Sequence, residues 1–170
     1  MAGCQPLPVA AREQITVALA VIDALDAQLP PLDSGLRAFA RHQAGCKALL
    51  GRFGVGELTA VTILAQLGDA RRFSSSRDAV RFAGLDITVH QSDQRRAPGH
   101  LSRQGPPALR WALFEASMCA ARRCSPDYEY YAQAAERLGS NRARLSVARK
   151  ILKRSYHLLR ELGDEAIAAA

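Results

Sequence analysis

The chain lacks the cysteine patterns of disulfide-stabilised or zinc-binding domains. Its four cysteines, Cys4, Cys46, Cys119 and Cys124, form no CxxC pair, and Cys119 and Cys124 are too far apart for a zinc knuckle. The N-terminus also lacks a basic segment followed by an apolar run, and no apolar stretch reaches about 18 residues. We therefore expect a reduced, cytoplasmic protein that is neither secreted nor membrane-spanning.

Acidic residues are scarce in one part of the chain only. Residues 95–160 carry fourteen Lys or Arg and four Asp or Glu, whereas residues 1–50 and 51–94 are each balanced. Clustered positive charge gains affinity for phosphate backbones through counterion release, so DNA is the expected partner, with nucleoid association when it is bound. A basic face that is merely solvated, with no ligand, is the alternative.

The first 43 residues predict a helical, coiled-coil-like arm. Pro30 and Pro31 are expected to give a kinked or two-part helical arm, because proline removes a backbone donor. Asp26 interrupts the heptad, so an ordinary core-packing helix remains an alternative to pairing between chains. We predict a homo-oligomer held through the arm. The apolar stripe that recurs at three- and four-residue steps consists of Ile15, Leu19, Ile22, Leu25 and Leu29.

Residues 44–170 predict a compact, mainly α-helical domain. A helix–turn–helix segment spans residues 46–67, and Gly68 ends its second helix. Ser75 to Asp78 forms a capping box ahead of a short helix. Further helices are expected from Pro106 and Pro107, from Ser125 to Gly139, and from about residue 141 to 162. Residues 86–89 give the only convincing strand, and the polar run 90–105 is expected to be a loop.

Two segments carry residues suited to nucleic acid. The turn at Gly54 and Gly56 resembles a helix-hairpin-helix motif, in which glycines let the backbone approach a phosphate; a purely structural hairpin is the alternative. The polar run holds Ser92 and Ser102 among histidines and arginines. A serine that attacks a phosphodiester needs cations beside it, and the arginine fork suits phosphate oxygens.

The ordered blocks of this region resemble a known family. They are Gly54-Val55-Gly56, Leu67-Gly68-Asp69, Arg72-Phe73-Ser74, Phe82-Ala83-Gly84-Leu85, Ser92, Pro98-Gly99-His100-Leu101-Ser102-Arg103-Gln104-Gly105 and Leu109-Arg110. From roughly residue 11 to 165 the chain resembles the C-terminal domain of insertion-sequence transposases of the one-ten family, the recombinases described as guided by a bridge RNA.

The resemblance implies roles for individual residues. Ser92 matches the family's serine nucleophile, which would form a phosphoserine link to DNA during recombination. Arg95, Arg96, Arg103 and Arg110 are the phosphate contacts we infer, beside Gly54 and Gly56. Family members also carry an N-terminal RuvC-like domain with acidic metal ligands. We expect this chain to be a truncated copy that lacks that domain and is inactive alone. We also expect it to hold no metal or other cofactor itself. A guide RNA is a further partner that the resemblance implies.

Other functions compete with this hypothesis. His100-Leu101-Ser102-Arg103 followed by Tyr128, Tyr130 and Tyr131 loosely resembles a tyrosine recombinase, although the pattern is short. His90, Asp93 and His100 match no standard metal-ligand spacing. Trp111 and Phe114 are expected in the core rather than on a base-stacking surface. The main alternative is a non-catalytic DNA-binding and dimerisation module, a transposase remnant in which Ser92 is chemically idle.

Overall fold

A computed structural model describes residues 7–88, 91–92, 95–96 and 100–168, and only the backbone of residues 88, 91–92, 95–96 and 100. The fold is mainly α, as predicted. The described residues form helices α1 (Val9–His42), α2 (Ala44–Leu50), α3 (Glu57–Leu67), α4 (Ser76–Phe82), α5 (Pro107–Met118), α6 (Tyr128–Leu138) and α7 (Ser140–Leu162). Four two-residue strands lie between α4 and α5: β1 (Ile87–Thr88), β2 (Gln91–Ser92), β3 (Arg95–Arg96) and β4 (His100–Leu101).

The backbone divides into two compact units, Met1–Gly35 and Leu36–Ala170. The first consists largely of the N-terminal part of α1, whose apolar side chains are exposed. Helix α1 continues through Pro30 and Pro31, so the predicted two-part form of the arm was wrong. Because proline has no backbone N–H, the carbonyl four residues before it receives no helical hydrogen bond. These carbonyls belong to Asp26, before Pro30, and Ala27, before Pro31. Both residues are exposed, so water can hydrogen-bond to these carbonyls.

Helix α1 also has the length and composition of a membrane-spanning helix. One 18-residue window has a mean hydropathy of 1.4, and none of that window is buried. The window averages over polar residues too, so it does not contradict the expectation that no continuous apolar stretch is this long. One helix of this kind is weak evidence, since core helices and signal sequences have the same composition.

In the second unit, helix α7 packs against α2, α4, α5 and α6. Its buried residues recur at three- and four-residue steps, which is why a helix rich in Arg and Lys can form the centre of a core. Tyr156 is fully buried, and its hydroxyl donates to the Phe73 carbonyl at 3.1 Å. The buried residues of α7 are Ala143, Val147, Ala148, Ile151, Leu152, Ser155, Tyr156 and Leu159.

Several helix ends lie where local signals predicted them. Gly68 ends α3 at a φ of +56°, and the Ser75 hydroxyl accepts from the Asp78 amide at the start of α4. Pro106 precedes α5, as its first-turn preference predicts. The helix expected from Ser125 begins later, at Tyr128, because the Ser125 hydroxyl instead accepts from the Asp127 amide in a preceding turn.

The expected position of Trp111 was wrong. Its side chain on α5 is 60% exposed, while Leu109, Ala112, Leu113 and Ala116 form the buried face of that helix. Helical spacing alone does not say which of two adjoining stripes faces the core. Phe114 is half-buried.

Candidate nucleic-acid interface

The segment predicted to be a loop contains paired strands, which we call the β arm (residues 87–101). β1 pairs with β4, setting Ile87 opposite Leu101 and Thr88 opposite His100. β2 pairs with β3 in the same antiparallel sense, setting Gln91 opposite Arg96 and Ser92 opposite Arg95. The prediction of one strand followed by a loop was therefore wrong, because main-chain pairing here occurs without an alternating apolar pattern.

Ser92 is thus on a strand, and its register position is opposite Arg95. Residues facing each other in an antiparallel pair have Cα atoms about 5 Å apart. The side chains of Ser92, Arg95 and Arg96, on which the predicted nucleophile and phosphate contacts depend, lie outside the described part of the structure. His90 and Asp93, weighed above as metal ligands, also lie outside them.

Close backbone contacts hold the foot of the β arm, residues 84–86 and 102–105, against the helical core. Gly84 has a φ of +65°, and a Cβ there would lie 2.7 Å from the Gln104 carbonyl oxygen. Gly105 has a φ of +139°, and a Cβ there would lie 2.0 Å from the Phe82 carbonyl oxygen. Only glycine permits both the conformation and the approach. Two of the sequence blocks that carry the family resemblance are therefore the two sides of this foot.

Polar side chains complete the foot. The Ser102 hydroxyl donates to the Asp86 carboxylate, and the Ser102 amide donates to the Asp86 carbonyl at 3.1 Å. Arg149 reaches from α7 and donates to the Leu85 carbonyl at 2.6 Å. Burial lowers the pKa of the Arg149 guanidinium, although Tyr130 and Asp86 oppose that shift. Ser102 is therefore part of the support of the β arm.

The two described candidate arginines also lie at this foot. Arg103 is exposed and has a left-handed backbone, with a φ of +52°, and its amide donates to the Gly84 carbonyl at 3.2 Å. Arg110 donates through Nη1 to the carbonyls of Gly105, at 2.7 Å, and Ala83, at 3.4 Å. The Arg103 guanidinium therefore makes no hydrogen bond or ion pair with a described residue. The Arg110 guanidinium links the end of α4 to the start of α5.

The second candidate element, the turn at Gly54 and Gly56, lies near the other end of α5. Gly54 has a φ of +84°, and a Cβ there would lie 2.5 Å from the Ala116 carbonyl oxygen, so packing explains this glycine. Gly56 is exposed, caps α3 and has open space around it. From Arg110 to Ala116 a helix rises about 9 Å. The structure therefore places Gly54 and Gly56 apart from the foot of the β arm.

Glu57, beside Gly56, places a negative charge in the first turn of α3. Arg41 pairs with its carboxylate at 2.9 Å, and Arg37 lies 3.9 Å from it. Two cations face one anion, so the start of α3 has a surplus of one positive charge. Both guanidinium groups are more than half exposed, which leaves the pairs weak and the charge available to a ligand.

Sequence reasoning missed Asp86 and Arg149 as supports of the β arm. Asp86 was regarded as the start of a strand, and Arg149 was one basic residue among many on the last helix. Their partners are distant along the chain, and Ser102 and Leu85 show no pairing pattern in sequence. Arg72 was missed as well: its guanidinium lies 4.5 Å and 4.6 Å from the ring centroids of Phe73 and Phe82, so the Arg-Phe-Ser block is structural.

Comparison with known proteins adds independent findings. The family model described as Transposase IS116/IS110/IS902 family matches residues 46–133, just over half of the chain. A probable family 20 transposase of Pseudomonas aeruginosa is 28% identical over 120 residues, which cover 71% of this chain and 36% of that protein.

Two further relatives have related names. The transposase for insertion sequence element IS1111A of Coxiella burnetii is 28% identical and covers 74% of this chain and 35% of its own length. The pilin gene-inverting protein of Moraxella bovis is 27% identical and covers 71% of this chain and 38% of its own length. The chain therefore spans little more than a third of the curated relatives it matches.

Proposed function

Because the chain belongs to the IS116/IS110/IS902 family of transposases, we propose that it is the DNA-binding, serine-bearing domain of a DNA recombinase. The observation that carries the proposal is the β arm, which holds the backbone of Ser92 opposite Arg95 on a foot fixed to the core. The relatives named for transposition and for pilin-gene inversion support DNA rearrangement as the overall process.

The proposed step is a transesterification. The Ser92 oxygen attacks a DNA phosphorus atom, a phosphorus–oxygen bond of the strand breaks, and the departing strand oxygen takes up a proton. A strand hydroxyl then attacks the phosphoserine and restores both the serine and the DNA backbone. Arg95, Arg96 and Arg103 supply positive charge where negative charge develops on the phosphate, which is the largest contribution a site of this kind can make.

DNA binding follows from the placement of charge. Arg122, Arg123, Arg137 and Arg142 are exposed, and no hydrogen bond or ion pair joins their guanidinium groups to another described residue. Such groups release counterions from a phosphate backbone without first breaking an internal pair. We expect duplex binding with little sequence preference, and an affinity that falls steeply as salt rises. A flat salt response would contradict it.

The test of the nucleophile is a covalent protein–DNA adduct on a denaturing gel. The chain is incubated with nicked donor DNA, alone and with the RuvC-like domain and guide RNA that the family resemblance implies. Ser92→Ala should abolish the adduct and leave DNA binding nearly unchanged. Ser102→Ala is the matched control: it should lower stability by about 1 kcal/mol through the lost Asp86 hydrogen bond while the adduct still forms.

The opposite pattern, an adduct that survives Ser92→Ala and disappears in Ser102→Ala, would assign the nucleophile to Ser102. If wild type binds DNA and never forms an adduct under any of these conditions, the chain is the non-catalytic DNA-binding and dimerisation module instead. The recombinase domain and the non-catalytic module should both bind duplex DNA in a salt-dependent way. The salt titration therefore distinguishes both of them from a protein that does not bind DNA.

We also propose that α1 pairs with a second copy of the chain. Apolar residues recur along it at seven-residue spacing in two series. Asp26, which interrupts the heptad in the register that includes Leu19, falls outside both. Isoleucine in the first series with leucine in the second favours two-stranded coiled coils. The prolines follow Leu29 directly, at positions that face away from such a seam. The first series is Ile15, Ile22, Leu29 and Leu36, and the second is Ala18, Leu25, Leu32 and Phe39.

The pairing is tested by measuring mass with light scattering. Ile22→Asp places a charge in the proposed seam and should reduce the oligomer to a monomer. Val17→Asp, at an exposed apolar position outside the seam, is the control and should keep the wild-type mass. Equal masses for wild type and both variants would mean that the exposed stripe does not join two chains.

A further inference from the structure

A cavity of about 340 Å³ opens beside the turn between α2 and α3. It is remote from the foot of the β arm, because the turn packs against the C-terminal end of α5. Its volume falls within the range of sites that hold small ligands. The residues that line it are Gly51, Arg52, Phe53, Pro126, Ile151 and Arg154.

The cavity presents a flat aromatic surface together with apolar walls. The Phe53 side chain is 40% exposed, so its ring can be reached from solvent. Ile151, which is buried, and Pro126 add apolar contact. An exposed ring beside aliphatic groups suits the face of a nucleobase, because every base can stack regardless of its sequence.

The charge around the cavity is positive. Asp127 accepts hydrogen bonds from Arg154 at 2.6 Å and 2.9 Å, and from Lys150 at 2.8 Å. Two cations for one buried carboxylate leave a surplus of one positive charge. Arg52 adds another, since no ion pair joins it to a described residue. Arg122 and Arg123 are exposed on the same connection as Pro126.

We propose that this cavity binds one unpaired nucleotide of a single strand, with its base against Phe53 and its phosphate between Arg52 and Arg154. A base inside a duplex cannot enter without leaving its stack, so the cavity selects single strands. The exposed arginines beside Pro126 give the neighbouring phosphates a path away from the cavity. The site is independent of Ser92 and needs no strand cleavage.

The test uses fluorescence anisotropy with fluorescein-labelled mixed-sequence strands of ten nucleotides, as DNA and as RNA, and with the matching duplex. Phe53→Leu should weaken single-strand binding about tenfold, the usual effect of losing one stacked base. Duplex binding should change less than twofold. Phe53→Tyr keeps a ring and should keep wild-type affinity, and Trp111→Leu removes an exposed aromatic ring on α5 and should have no effect.

The charge is tested separately. Arg52→Gln should reduce the salt slope of single-strand binding by about 0.7, the value expected for one phosphate contact on a single strand, while Arg77→Gln on α4 should leave it unchanged. Equal weakening of single strand and duplex by Phe53→Leu, or no weakening of either, would overturn the proposal. The proposal would also be overturned if dTMP alone bound as tightly as the strand, because the cavity would then be a site for free nucleotides. Loss of duplex binding in wild type would count against the recombinase function and not against this cavity.

Discussion

Replacing Gly105 by alanine tests whether backbone contact holds the β arm in place. The added Cβ would lie 2.0 Å from the Phe82 carbonyl oxygen, a backbone atom that cannot move without shifting the end of α4. A φ of +139° also lies outside the conformations that alanine adopts readily. Strain and forced displacement each cost about 1–3 kcal/mol, so we expect about 3 kcal/mol of lost stability. For a domain of this size, that lowers the melting temperature by about 6–12 °C.

The matched control is Gly51→Ala. Gly51 has an ordinary φ of −68°, and its added Cβ would make only van der Waals contact, 3.5 Å from the Ala48 carbonyl oxygen. This change should be neutral or stabilise the fold by up to about 1 kcal/mol. Thermal unfolding followed by circular dichroism measures both variants. If Gly105→Ala melts within 2 °C of Gly51→Ala, a threshold well below the expected shift, the close contact at the foot contributes no stability and the reasoning fails.

Three further predictions concern single residues. Burial raises the pKa of Asp127, but hydrogen bonds from Arg154 and Lys150 outweigh burial and lower it overall. The stability that these hydrogen bonds give the fold is therefore present above pH 3.8, the ordinary pKa, and is lost as the pH falls below that value. Asp127→Asn should therefore cost about 2 kcal/mol at pH 7, and its deficit in urea unfolding should shrink at lower pH; a deficit that does not change with pH would contradict this. Arg103→Gly should relieve the strain of a left-handed backbone and raise stability by about 1 kcal/mol. The same change should weaken duplex binding in a salt titration, and a loss of stability together with the loss of affinity would refute this prediction. Burial raises the pKa of the Cys46 thiol to about 11, so mass spectrometry after brief thiol labelling at pH 8, a typical labelling condition, should find Cys124 modified and Cys46 protected.

The parts of the fold that the sequence predicted are those that local chemistry determines. Glycine at the end of α3, the serine cap of α4 and the proline before α5 each act within a few residues. Such signals do not depend on the rest of the chain. Pro30 and Pro31 were the exception, because an interior proline kinks or breaks a helix and the local sequence does not say which, and α1 continues through both.

The candidate site was less predictable, because its geometry depends on contacts between distant segments. The pairing of Ser92 with Arg95 is close in sequence, but the strands of the β arm carry no alternating apolar residues to indicate it. Gly84 meets Gln104 across the foot, and Arg149 approaches from a helix more than 60 residues away. The position of Ser92 came from the family resemblance, and sequence patterns alone gave only a polar loop.

The way the β arm is fastened has a consequence for how such domains diversify. Its foot is held by glycine backbones, by main-chain hydrogen bonds and by side chains donating to carbonyls, and few of these contacts depend on residues farther out. The outer residues are therefore free to change without loss of the core. Exchanging residues 88–100 between relatives should then leave the melting temperature close to that of the recipient core.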